Sequence, residues 1–177
     1  MFVYIPGEAI AFFTFPGVMV HEISHRFFCD IFNIPVYEVN YFDLGNKKAG
    51  HVIHGQPNNA YQALLISTGP LIINTIVCML MTFPMSTIYF LESSSLPHTM
   101  IIYGFMAWIG HSAGLNAFPS NQDIYHLLDF PGSHASKALL SVIAVLIWMC
   151  NLKYINFFIA IFYTYAVSTI LPRIFFG

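Results

Sequence analysis

His21, Glu22 and His25 stand in the stretch Phe15 to Asp30, FPGVMVHEISHRFFCD, which is otherwise largely apolar. Side chains four apart on a helix lie about 40° apart around its axis and about 6 Å along it, so both imidazoles can reach one metal ion with Glu22 beside them. The residue types suit a hydrolytic zinc site. Two neutral imidazoles hold the ion at about 2.0–2.1 Å, and the neighbouring carboxylate can take a proton from the water bound to it. In a membrane, a charged side chain in such a run costs about 2.5 kcal/mol or more, which points to use rather than accident. The competing reading is a polar cluster satisfied between helices.

A catalytic zinc ordinarily keeps three protein ligands and leaves its fourth position to water, so one more ligand is needed. Asp123 is the candidate: it follows the third apolar segment, and its carboxylate offers a hard oxygen ligand. Ser120 and Asp123 also fit the S-x-x-D capping pattern of a short helix, in which Asp123 would only receive backbone N–H groups. His111, His126 and Asp129 are the remaining candidates. His111 otherwise reads as a buried polar residue in a span, and His126 with Asp129 as a wet helix face.

The elements that must position these residues are membrane helices. Of 177 residues, 57% are hydrophobic and 8% charged, against about 25% charged in an ordinary soluble domain. A net charge of −2, with six Lys plus Arg, leaves no basic stripe and excludes a nucleic-acid partner. Cys29, Cys78 and Cys150 lie in three separate apolar segments and read as buried free thiols rather than a disulfide framework. The first residues lack a positive region and a small-residue cleavage site, so they are expected to belong to the first span.

In chain order, residues 2 to 31 read as one long helix with the HExxH pattern in its second half and a kink signal at Pro16-Gly17. Ile34 to Pro57 alternates polar and apolar residues around Gly45-Asn46. This predicts a hairpin with strands at about Val36 to Phe42 and Ala49 to Ile53. Residues three apart on a strand point to opposite faces, so His51 and His54 read as polar loop histidines rather than a second metal clamp. Asn59 to Phe90 is long enough to span, with a break at Gly69-Pro70. Asn74 within it is either an interhelical hydrogen-bonding group or a substrate-facing amide. Thr99 to Phe118 is a third span, carrying His111 and Asn116. Two more runs, Lys137 to Asn151 and Tyr154 to Leu171, turn at Leu152-Lys153. The expectation is a single membrane-embedded domain over residues 1–177, all-α with about five transmembrane helices and a short β-hairpin between the first two. Its core covers about residues 1–130, and two further spans cover about 135–172.

Positive charge sets the orientation. With the N-terminus outside, Arg26, Lys47, Lys48, Lys137 and Arg173 fall on the cytoplasmic side with the C-terminus, and Lys153 falls outside. The same count places the end of the first helix and the segment 119–129 on one side of the bilayer.

HEISH in an apolar helix, STGPLIIN in the next and GLNAFPSNQD after the third resemble the site-2 protease family of intramembrane zinc metalloproteases. The likeness covers about Val18 to Asp129. In the third motif Asn116, Pro119 and Asp123 match, while Ile124 stands where the family has glycine. The resemblance implies that His21, His25 and Asp123 hold one Zn²⁺, Glu22 is the general base, and Asn74 and Asn116 bind substrate. It also implies a hairpin between the first two core helices, and this chain would be a minimal member without a PDZ or CBS domain. The expected activity is hydrolysis of peptide bonds in transmembrane substrates near the cytoplasmic side, by water that zinc binds and Glu22 activates. The partners are then a transmembrane protein substrate and the lipid bilayer. Two other classes remain open: a zinc-binding membrane protein without proteolysis that serves as a partner-binding module, and another membrane metallohydrolase.

Overall fold

The computed structural model describes residues 7–43, 50–88 and 97–176. The chain is mostly helical, with one two-stranded antiparallel sheet. Helix α1 (Gly7–Phe13) and helix α2 (Phe15–Ile31) are separate, so the single first helix expected from sequence is corrected to two. Pro16 explains the restart. Its missing N–H costs nothing in a first helical turn, whereas farther into a continuous helix it would remove a hydrogen bond. The step at Thr14 also turns that residue's carbonyl toward helix α4 (Pro97–Leu115), where Ser112 Oγ donates to it at 2.7 Å. Ser112 Oγ in turn accepts from Gly17 N at 2.7 Å. The backbones cross so closely here that a methyl on Gly17 would lie 2.0 Å from the Ser112 carbonyl oxygen, which is why glycine follows the proline.

The hairpin forms strands β1 (Val36–Asn40) and β2 (His51–His54), with Val39 opposite Val52 and Asn40 opposite His51. An irregularity between Val36 and Glu38 interrupts the ladder. The Gly45-Asn46 turn lies outside the described residues. His51 and His54, expected in a loop, are the end residues of β2.

Helix α3 (Ala60–Ile88) runs unbroken through Gly69-Pro70, where the sequence signals a break. Tight packing accounts for the glycine, since a methyl there would enter the Phe28 ring at 2.4 Å. Helix α4 ends at Leu115, three residues before the expected end. Helix α5 (Asn121–Leu128) follows, then α6 (His134–Cys150) and α7 (Lys153–Tyr165). From α7 the chain passes through a π-helical turn (Ala166–Ile170) into α8 (Leu171–Phe176). Helix α5 presents Ile124 and Leu127 to Ala63 of α3 and to Leu140 and Ala144 of α6, forming one apolar cluster. A second cluster of Cys29, Ile34 and Ile66 joins the end of α2 to α3 and the start of the hairpin. The three cysteines are free thiols. Cys29 and Cys78 are buried as expected, but Cys150 is only half-buried.

Segments Ala60–Phe83 and Ile155–Ile174 are long and apolar enough to cross a membrane, whereas Met100–Leu115 and His134–Cys150 are apolar but shorter.

Candidate metal centre

Packing of α2, α3, α4 and α5 brings together His21, His25 and Asp123, three residues chosen from sequence. Their ligand-type atoms all lie within 4.8 Å of one another, and this buried group could hold a metal ion. Asp123 Oδ1 lies 3.0 Å from His25 Nε2, and Oδ2 lies 3.4 Å from His21 Nε2.

Each imidazole is turned toward this point by a backbone carbonyl on its far side. His25 Nδ1 lies 2.8 Å from the Ile66 carbonyl oxygen. In an α-helix that oxygen would normally accept from the N–H four residues on, which here is Pro70 and has no N–H. Pro70 therefore frees the acceptor that orients His25. His21 Nδ1 lies 2.8 Å from the Asn116 carbonyl oxygen, which sits just past the end of α4 and so lacks an intrahelical donor. A carbonyl can only accept, so each Nδ1 carries a proton, and in the neutral ring each Nε2 keeps its lone pair for a metal.

This arrangement tests whether a metal fits. His25 Nε2 is buried and has no hydrogen-bond partner, although a carboxylate oxygen is 3.0 Å away. Two imidazole lone pairs and a carboxylate converging on one point repel one another unless a cation lies among them. A divalent ion satisfies all three.

Asp123 serves as cap and candidate ligand at once. Its Oδ2 accepts from Ser120 N at 2.6 Å while Ser120 Oγ accepts from Asp123 N, completing a capping box. The same carboxylate faces both imidazoles. Burial alone would raise its pKa, but His25 and His21 hold it well below the ordinary carboxylate range.

The other candidates lie outside this three-residue group. His111 is exposed, with Nδ1 2.7 Å from the Ala107 carbonyl of its own helix. Asp129 accepts from Gln56 Nε2 at 3.0 Å. His126 packs against His54.

Glu22 is buried and lines a cavity of about 620 Å³ together with His21, His25, Asn116 and Asp123. Strand β2 forms part of the same wall. A methyl on Gly50 would stand 2.8 Å from Glu22 Cγ, so glycine at the entry to β2 lets the hairpin close against this carboxylate. Asn74 is fully buried and does not line the cavity. Its Nδ2 donates to the carbonyls of Gly17, Ala113 and Asn116 at 3.2, 3.1 and 2.9 Å, tying α2, α3 and α4 together. Of its two readings, the geometry displays the interhelical one.

No family model, curated protein or solved structure matches the chain. Pro70, Gly50 and the two orienting carbonyls have no signature of their own in the sequence. The Gly69-Pro70 pair was the one visible trace, and it reads as a kink until the Ile66 carbonyl is seen to have another donor.

Proposed function

We propose that this protein is an intramembrane zinc metalloprotease of the site-2 protease type. One observation carries the reading: Glu22 shares a cavity with three convergent ligand atoms that a cation among them would reconcile. The donor set of two imidazoles and one carboxylate is that of a catalytic zinc with an open position. Bound there, zinc would supply a Lewis acid that polarises a carbonyl and makes water a nucleophile near neutral pH.

Glu22 takes one proton as water oxygen bonds to the peptide carbonyl carbon, and returns a proton to the amine as the C–N bond breaks. Asn116 keeps His21 in the ligating tautomer and lines the cavity where substrate would lie. A transmembrane helix hides its carbonyls in its own hydrogen bonds, so the substrate must enter extended. β2 has one partner strand among the described residues and lines the cavity, which supports an extended peptide adding along it.

Five spans, with α1 and α2 together as the first and the N-terminus outside, complete the proposal. Exposed apolar side chains support lipid contact on the shorter helices, among them Leu139, Leu146 and Trp148 of α6 and Ile101, Ile102 and Phe105 of α4. Reporter mapping should find residue 47 cytoplasmic; residue 47 outside would remove the orientation.

Glu22→Gln tests the chemistry. It should keep the fold and the metal yet lose hydrolysis of a transmembrane peptide, because an amide cannot accept the proton. Wild-type turnover by this variant would remove Glu22 from the mechanism.

A further inference from the structure

We propose that His54 and His126 form a second, weaker site for a divalent transition-metal ion, opening on the same cavity. Strand β2 supplies His54 and helix α5 supplies His126, and both line the cavity. Their ring centroids lie 4.9 Å apart with planes tilted by 44°. A nitrogen-bound ion at about 2.0–2.1 Å sits about 3.2 Å from each ring centre, so tetrahedral ligation places two ring centres about 5 Å apart. His21 and His25, within the three-ligand group, also have centroids 4.9 Å apart.

The protonation pattern suits a ligand pair. His54 Nδ1 lies 2.8 Å from the Gly55 carbonyl oxygen, which can only accept, so in the neutral ring Nε2 keeps its lone pair. Among the described residues, neither that Nε2 nor either nitrogen of His126 has a hydrogen-bond partner. Burial, and then the neighbouring His54, hold the pKa of His126 below the ordinary histidine value, which keeps its ring neutral at pH 7. Two neutral imidazoles select zinc, copper or nickel over calcium or magnesium. With two protein ligands and no carboxylate, the site binds more weakly than the first, and water or an incoming donor completes it. Neither residue belongs to the His21–His25–Asp123 group, so this site stands whether or not the protein is a protease.

Zinc is the probe. Purified full-length protein is dialysed against graded free zinc at pH 7.5 and its metal content counted by mass spectrometry. The wild type should take up two equivalents, the second requiring at least about tenfold more free zinc than the first. His126→Phe keeps a ring against His54 but removes the ligating nitrogens, and should retain the tight equivalent and lose the weak one. A His54→Ala/His126→Ala double variant should do the same, with the tight equivalent reporting an intact fold. One equivalent in the wild type, two in either variant, or loss of both together in His126→Phe would each overturn the second site.

Discussion

His21–His25 and His54–His126 hold their rings at the same separation but by different means. In the first pair each Nδ1 faces a carbonyl that its own helix leaves free, one through Pro70 and the other through the end of α4, and a carboxylate bridges both rings. In the second, His54 is tied to its own neighbour, His126 has no tie among the described residues, and no carboxylate is shared. Spacing alone therefore does not make a strong site. Anchorage by outer hydrogen bonds and a third ligand separates a tight centre from a weak one.

Removing the third ligand should erase most of that difference. Asp123→Asn keeps a competent capping group, so the fold should stand, but a neutral amide oxygen is a poor zinc ligand. Tight-site affinity should fall by a factor on the order of 100 or more, toward that of the second pair, when read by chelator competition. Retention of wild-type affinity would return Asp123 to the role of a cap.

Pro70→Ala acts on anchorage alone and should separate two quantities that ordinarily move together. The restored N–H competes with His25 for the Ile66 carbonyl, lowering zinc affinity by about tenfold, while an added helical hydrogen bond stabilises α3 by about 1–3 kcal/mol. Zinc titration beside thermal unfolding of the metal-free protein would detect the split; unchanged affinity would break the link between Pro70 and His25.

The smallest effect on the metal should come from Asn74→Ala. It removes three hydrogen bonds that tie three helices together, costing about 1–3 kcal/mol of stability. The Asn116 carbonyl keeps His21, so zinc affinity should drop by less than about tenfold. A larger loss of affinity than of stability would make Asn74 part of the His21 anchorage.

The sequence shows the parts of this site that depend on short spacing. His21, Glu22 and His25 fall within five residues, and Ser120 with Asp123 within four, so helix geometry alone predicts their faces. Asp123 posed a choice between cap and ligand that the fold does not require, because a carboxylate has enough lone pairs for both. The features the sequence hid all depend on distant partners. Pro70 matters through a histidine on another helix, Gly17 through Ser112, Gly50 through Glu22, and His54 through His126. The break at Thr14 had a local trace in the Pro16-Gly17 kink signal, but the apolar run that continues across it reads as one helix.

Hydrolysis in a bilayer tests the central claim most directly. Zinc-loaded protein and a transmembrane peptide, incorporated together in vesicles in ¹⁸O-labelled water, should yield a fragment whose new C-terminal carboxylate carries one ¹⁸O atom. A chelator should stop the reaction and added zinc should restore it. A peptide left intact by fully zinc-loaded protein, or cleavage that survives both the chelator and Glu22→Gln, would contradict the account.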